Sequence, residues 1–149
     1  DCLPIYVYDP VKKVIGLAHA GWRGTAAKIQ QKAVQLMIQN GSSPENIKAA
    51  IGPGIGKCCF DVNRDVFEKI FEGVNKNCFD YNNSYRYNED TDKYFVDLKL
   101  VNKMLLNELS VTQTDISDYC TCCTNDVFFS YRKEKGYTAR HSAVLKIKG

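Results

Sequence analysis

The sequence lacks any hydrophobic run long enough to cross a membrane, and its first residues are not typical of a signal peptide. It also lacks a long run of like charges, and its net charge is only +3. Nucleic-acid-binding proteins usually concentrate basic residues in one patch or stripe. We therefore expect neither nucleic acid nor a membrane as a partner. The length of 149 residues fits a single domain with a buried core.

Histidine is scarce, with His19 and His141 as the only two. A multicopper centre needs many histidines, and even one blue-copper site needs two together with a cysteine and a weak axial ligand. Two histidines are too few, so this chain by itself cannot form a multicopper cluster. Lone histidines usually lie on the surface or pack against neighbours, so a ligand role for His141 is the minor interpretation.

Cysteine, in contrast, is abundant: the chain has seven, an odd number. Adjacent pairs and a Cys-Thr-Cys-Cys cluster do not resemble the spaced cysteines of secreted disulfide frameworks. We therefore expect reduced thiols and a cytoplasmic location. The cluster at 120–123 is a possible half of a zinc site, but no second Cys-x-x-Cys or histidine partner follows at zinc-finger spacing. We interpret these thiols as buried or incidental.

Strands and helices alternate along the chain. Apolar runs at 3–8 and 14–18 predict two strands joined by a turn at 9–13, and 47–51 and 94–96 predict two more. Thr25, Asn63 and Asp97 are predicted to cap three helices, the first of which runs to about Gln39, and each helix has an apolar stripe at helical spacing. The polar segment 78–92 is expected to be a loop, whereas 128–129 and 143–147 are expected to be strands. The pattern is typical of an α/β domain with a mixed sheet.

The first two predicted strands bring a cysteine and a histidine to neighbouring positions. Cys2 precedes the first strand and His19 follows the second. If the strands lie side by side, the thiol and the imidazole share one site. Such a pair serves either as a nucleophile with its base or as two ligands of a soft divalent metal. The residues alone leave both alternatives open.

Other motifs carry weaker signals. The loop at 52–56 is glycine-rich but matches neither the P-loop nor the dinucleotide-binding pattern, which favours a sharp turn. Arg23 precedes the first predicted helix, where a guanidinium and helix N–H groups favour an anion. A surface arginine paired with a nearby acid is the equal alternative. The single tryptophan, Trp22, is expected to pack beneath the loop.

Several segments in register resemble the YfiH/YlmD-like family, also described as the multicopper polyphenol oxidase or laccase-domain family, whose mammalian members include laccase domain-containing protein 1. The resemblance extends from the first residue to the last and keeps the family's order and spacing. The segments are Asp1-Cys2-Leu3-Pro4, Ala18-His19-Ala20-Gly21-Trp22-Arg23-Gly24, Ile51-Gly52-Pro53-Gly54-Ile55-Gly56-Lys57-Cys58-Cys59-Phe60-Asp61-Val62, Val96-Asp97-Leu98, Cys120-Thr121, Phe128-Phe129-Ser130-Tyr131-Arg132 and Gly136-Tyr137-Thr138-Ala139-Arg140.

The resemblance implies an α-β-β-α sandwich of the YfiH type, which it shares with cysteine-dependent toxin deamidases. It also implies a zinc ion held by one cysteine and two histidines. Cys2 matches the family cysteine and His19 matches its second histidine. The first histidine belongs to a Val-His-Gly motif that these 149 residues do not contain. We therefore expect residues 1–149 to be one YfiH-like domain without its N-terminal portion. By themselves, these residues are expected to bind metal poorly and to lack activity.

The activity implied by the resemblance is phosphorolysis of purine nucleosides to the base and ribose-1-phosphate, with adenosine deamination alongside. Adenosine, inosine, guanosine and methylthioadenosine are the implied substrates, together with phosphate. Arg23 and Arg132 are the candidates for binding phosphate, and Phe129 or Tyr131 for stacking on the purine. Asp1, next to Cys2, is a candidate supporting group or general acid/base.

Three rival functions remain at this point. The first is a copper polyphenol oxidase (laccase), as the family's older description states, with copper in place of zinc. The second is a cysteine hydrolase or amidase with Cys2 as nucleophile and His19 as base, acting on peptidoglycan-type substrates. The third is a partner-binding domain without catalysis.

Overall fold

The first two strands form a hairpin, as the sequence predicts. In the computed structural model, which describes residues 1–78 and 80–148, β1 (Leu3–Asp9) pairs antiparallel with β2 (Val14–Ala20). The Asp9 carboxylate accepts the backbone N–H groups of Val11 and Lys12 at 2.8 and 3.1 Å, which closes the turn between the strands.

Two further strands complete a mixed sheet. β3 (Lys48–Ile51) pairs antiparallel with the other edge of β1, and β7 (Gln113–Ile116) pairs parallel with β3. The strand order is therefore β2-β1-β3-β7. A second, antiparallel sheet has the order β4-β6-β5, formed by Asp61–Val62, Lys93–Val96 and Tyr85–Asn88. The predicted α/β class with a mixed sheet is confirmed.

Among the described residues, four α-helices accompany the strands: α1 (Trp22–Ala26), α2 (Ile29–Gln39), α3 (Arg64–Phe71) and α4 (Leu98–Asn107). The prediction of one helix capped by Thr25 is wrong, because α1 begins before Thr25, and Lys28 adopts a left-handed conformation with φ 54° that separates α1 from α2. Thr25 lies inside α1, where its buried hydroxyl accepts a hydrogen bond from Asn102 at 2.9 Å. Within the described residues, no helix has the length and apolar character needed to span a bilayer.

The later helices begin where the sequence predicts. Asp97 caps α4, and its carboxylate accepts the Leu100 N–H at 3.0 Å. Asn63 precedes α3, but its side-chain oxygen accepts a hydrogen bond from Lys93 at 2.6 Å instead of capping the helix. α2 ends at Gln39, and Gly41 follows with φ 90°, which confirms the predicted stop at Asn40-Gly41.

Several expectations for the less regular segments are wrong. Strand β5 lies inside the segment predicted to be a loop, because its residues pair with β6. Residues 128–129 and 143–147 are not strands, and the described chain after β7 has irregular backbone apart from a single bridge at Cys120. The alternating pattern at 143–147 has no neighbouring strand to pair with in the described part of the chain, and Val144 is 80% exposed.

The core face of β1 holds the sheet and the helices together. Leu3, Ile5 and Val7 alternate along this strand and are at most 1% exposed. Ile5 lies opposite Ala18 of β2 and Ile51 of β3 at the same time. The side chains between them point to the other face, where Cys2 and His19 lie.

Truncation of Ile5 to alanine is expected to lower the free energy of unfolding by about 2–5 kcal/mol, since it leaves a cavity at the centre of the sheet. Val11→Ala is the control, because Val11 is 65% exposed in the hairpin turn and should change stability by less than about 0.5 kcal/mol. Chemical denaturation of both variants checks this. Equal effects of the two substitutions would show that β1 is not the centre of the core.

Candidate functional site at the start of the first strand

Cys2 and His19 lie on the same face of the hairpin. Pro4 of β1 is directly opposite His19 of β2, and Cys2 lies two residues before Pro4. Because side chains alternate along a strand, Cys2, Pro4 and His19 share the face that points away from the core. Both Cys2 and His19 are exposed.

Gly21 lies at the point where the thiol and the imidazole converge. A Cβ atom placed on Gly21 would lie 2.7 Å from the Cys2 Sγ and 3.7 Å from the His19 Nε2. Both donor atoms therefore border one small space, which a side chain at position 21 would partly fill. The predicted juxtaposition of Cys2 and His19 is present, and either a metal ion or a proton transfer between the two groups fits the space chemically.

A cavity of about 530 Å³ opens beside this pair. One wall is the start of the hairpin, and the other is the irregular C-terminal segment. Phe129 and Tyr131, the residues predicted to stack on a purine, both line it and leave 46% and 60% of their surfaces exposed. Arg140 and His141 also line it, so the only two histidines of the chain border the same cavity.

Hydrogen bonds to Asp1 connect the C-terminal segment to the start of β1. One carboxylate oxygen accepts the hydroxyl groups of Thr121 and Ser130 at 2.7 and 2.8 Å, and the other accepts the Arg132 backbone N–H at 2.7 Å. Hydrogen bonds to a carboxylate are among the stronger ones in proteins. Asp1 therefore positions the two walls of the cavity relative to each other, next to Cys2.

The two arginines predicted to bind phosphate have other partners. The Arg132 guanidinium forms an ion pair with Asp61 and donates to the Cys59 carbonyl at 2.8 Å. The Arg23 guanidinium lies 4.4 Å from the centre of the Trp22 ring, and Arg23 is the second residue of α1 rather than the residue before a helix. Trp22 is the first residue of α1 and lies partly buried against the core. Neither arginine belongs to the cavity lining that the described residues form.

A second group of side chains lies around Thr121, whose hydroxyl donates to Asp1. The sulfur atoms of Cys58, Cys59, Cys120 and Cys123 all lie within 4.8 Å of one another, and we call these residues the four-cysteine cluster. Burial, together with hydrogen bonds to Cys123 and Cys120, raises the pKa of Cys58 to about 11. Burial acts to raise the pKa of Cys120 as well, but hydrogen bonds led by the Gly56 N–H outweigh it and lower that pKa to about 7.

Sequence reasoning missed this cluster. Cys120 and Cys123 have no partner at zinc-finger spacing, and their neighbours in the fold are the adjacent pair Cys58-Cys59, about sixty residues earlier. The order of the strands could have indicated that the two cysteine pairs meet. Both pairs follow a strand of the same sheet after a short connection, and parallel neighbours deliver such segments to one edge.

Comparison with known proteins identifies the family. The family model described as "Multi-copper polyphenol oxidoreductase laccase" matches residues 1–148. The purine nucleoside phosphorylase YlmD of Bacillus subtilis is 33% identical over 151 residues, which cover 99% of this chain and 52% of that protein. The adenosine deaminase RL5 of an unknown prokaryotic organism is 33% identical over 135 residues, covering 89% of this chain and 50% of that protein.

Solved structures have the same fold. YlmD from Geobacillus stearothermophilus superposes with a TM-score of 0.85 at 35% identity, covering 93% of this chain and 51% of that one. The YfiH protein of Bacillus licheniformis has a TM-score of 0.81 at 39% identity, covering 91% of this chain and 51% of that one. The predicted YfiH-type fold is confirmed, and the chain spans about half the length of the curated relatives it matches. The chain belongs to the multi-copper polyphenol oxidoreductase laccase family, the family of YfiH and YlmD.

Proposed function

We propose that this chain provides part of the active site of a purine nucleoside phosphorylase that also deaminates adenosine. The observation that carries the proposal is the convergence of the Cys2 Sγ and His19 Nε2 at the edge of a cavity of about 530 Å³. That volume lies within the usual range of small-molecule sites. The relatives named purine nucleoside phosphorylase and adenosine deaminase support the same activities. Adenosine, inosine, guanosine and methylthioadenosine are the proposed substrates, with phosphate.

The donor atoms of Cys2 and His19 fit zinc. Thiolate sulfur and imidazole nitrogen are ordinary zinc ligands, and catalytic zinc takes three protein ligands and leaves one position open. We assign the third ligand to the histidine of the Val-His-Gly motif that the family resemblance implies. That motif is not among these 149 residues, so we assign it to the part of the relatives' length that this chain does not span. Residues 1–149 are, on this proposal, the C-terminal portion of one YfiH-like domain.

The metal and the side chains of the cavity walls have different roles in the proposed reaction. Zinc, when bound, polarises a substrate oxygen or lowers the pKa of a bound water. Phe129 and Tyr131 offer exposed ring surfaces to the purine. Arg140 belongs to the cavity lining, so we assign the phosphate to it ahead of Arg23 and Arg132, which lie outside that lining. Its guanidinium donates to the Thr138 and Ala139 carbonyls at 2.9 and 3.0 Å, which holds it at the cavity wall.

A second candidate rests on the same pair without a metal. An exposed thiol beside an imidazole is also the arrangement of a cysteine hydrolase, with Cys2 as nucleophile, His19 as base and an amide of the peptidoglycan type as substrate. Copper oxidation of phenols, the reaction in the family model's description, finds less support. A multicopper centre needs more histidines than the two in this chain.

Base release tests the proposed phosphorylase activity. The full-length product of the gene that encodes this chain, loaded with zinc, is expected to release hypoxanthine from inosine and adenine from adenosine only when phosphate is present. Cys2→Ala and His19→Ala should each lower kcat/KM by about 100-fold or more, because each removes a metal donor. The measurement is separation of bases and nucleosides by liquid chromatography.

Cys78→Ala is the matched control, since Cys78 lies outside the cavity lining and should leave the rate near that of the unsubstituted protein. Phosphate-independent release of base, or full activity in Cys2→Ala, would contradict the phosphorylase proposal. Hydrolysis of amide substrates by a zinc-free preparation would favour the second candidate.

Alkylation of Cys2 distinguishes a metal ligand from a free nucleophile. Zinc is expected to slow the alkylation of Cys2 in the full-length gene product, as measured by peptide mass mapping. Gly21→Ala should weaken that protection by about 10-fold or more, because its Cβ would crowd the Cys2 Sγ at 2.7 Å. Gly21 has φ −67°, so alanine fits the backbone and thermal unfolding should remain unchanged. Equal alkylation with and without zinc would show that Cys2 is not a ligand.

A further inference from the structure

The four-cysteine cluster forms because two parallel strands end side by side. β3 and β7 pair parallel, and the segments that follow them stay together through hydrogen bonds from Ser117 N–H to the Ile51 carbonyl at 2.9 Å and from Thr121 N–H to the Gly54 carbonyl at 3.1 Å. The adjacent pair Cys58-Cys59 follows the first strand in a turn, and Cys120 and Cys123 follow the second. The fold itself therefore brings the two cysteine pairs to one edge.

The spacing of the sulfur atoms matches a single tetrahedral ion. Zinc–sulfur bonds of about 2.3 Å place the four sulfurs of a tetrahedron about 3.8 Å apart. The sulfur of Cys123 lies 3.5 Å from that of Cys58 and 3.4 Å from that of Cys59, and no pair in the cluster exceeds 4.8 Å. An iron–sulfur cluster would hold its cysteine sulfurs farther apart, since several atoms lie between them. The geometry therefore fits one ion at the centre.

The surroundings suit a metal thiolate. The Gly56 N–H donates to the Cys120 Sγ at 3.1 Å, the kind of contact that orients a ligand sulfur. Lys99, only 7% exposed, donates to the Ser117 and Tyr119 carbonyls at 2.6 and 2.7 Å, directly before Cys120. Among the described residues it forms no ion pair with a carboxylate. A cation held beside Cys120 favours negative charge there, in addition to that of Asp97 and Asp118, which also act on Lys99.

We propose that Cys58, Cys59, Cys120 and Cys123 bind one zinc ion as a second, structural metal site. Binding converts the four thiols to thiolates and releases their protons to solvent, so the filled site carries two negative charges beside Lys99. The site is independent of the phosphorylase proposal, because it shares no ligand with Cys2 and His19. All four coordination positions are occupied by protein, which is typical of a structural rather than a catalytic zinc.

The two sites are connected through Asp1. Thr121 lies between two of the cluster cysteines, and its hydroxyl donates to the Asp1 carboxylate at 2.7 Å. The same carboxylate holds Ser130 and Arg132, which lie on either side of Tyr131 in the cavity wall. A zinc ion in the cluster therefore fixes the segment that closes the candidate active site.

The test measures zinc in the full-length gene product with the candidate active-site ligands Cys2 and His19 replaced. The double variant Cys2→Ser/His19→Ala, purified under reducing conditions, is expected to retain one zinc per chain by elemental analysis. Adding Cys120→Ser or Cys123→Ser to that background should abolish the bound zinc. Adding Cys78→Ser is the matched control and should leave the zinc in place, since Cys78 is not a cluster member.

Serine variants that fail to fold are covered by a second measurement on the double variant. Replacement of zinc by cobalt should give the intense visible absorption of a tetrahedral ion and the ultraviolet charge-transfer bands of four thiolates. A metal-free double variant, a disulfide among the four cysteines in the reduced preparation, or bound iron in place of zinc would each overturn the proposal. Activity of the full-length protein plays no part in this readout, so its absence leaves the test intact.

Discussion

The antiparallel pairing of β1 with both its neighbours is the constraint on which the rest of the structure depends. It buries Leu3, Ile5 and Val7 on one face of the sheet and fixes the register opposite His19. A shift of one residue would expose this core and turn Cys2 to the wrong face, because side chains alternate along a strand. One register therefore specifies both the core and the candidate site. Hydrophobic burial on one face of the sheet stabilises the positions of Cys2 and His19 on the other.

The parallel pairing of β3 with β7 positions the C-terminal segment. It brings the chain after β7 back to the start of β1, where the Asp1 carboxylate holds it at Thr121, Ser130 and Arg132. This segment has little regular structure, so its position depends on side-chain contacts rather than on a ladder of backbone hydrogen bonds. The Asp1 carboxylate contacts this segment, and the four-cysteine cluster brings it together with Cys58 and Cys59.

The sequence predicts the elements that have a strong local signal. The hairpin, β3, the helix after Asp97 and the juxtaposition of Cys2 with His19 follow from apolar periodicity and capping residues. The break at Lys28 was not predictable, because helical periodicity continues through it while a left-handed residue separates α1 from α2. The engagement of Arg132 by Asp61 and the meeting of the cysteine pairs are contacts between residues some sixty to seventy positions apart. Local patterns carry no information about such contacts.

The most direct test of the account is anomalous X-ray scattering at the zinc edge from crystals of the full-length gene product grown with zinc. The central claim is that Cys2 and His19 hold a metal ion at the mouth of the cavity. It predicts an anomalous peak bonded to the Cys2 Sγ and the His19 Nε2, in the space beside Gly21. Zinc-loaded crystals in which these two atoms contact no anomalous scatterer would contradict it and leave the pair as a nucleophile and its base.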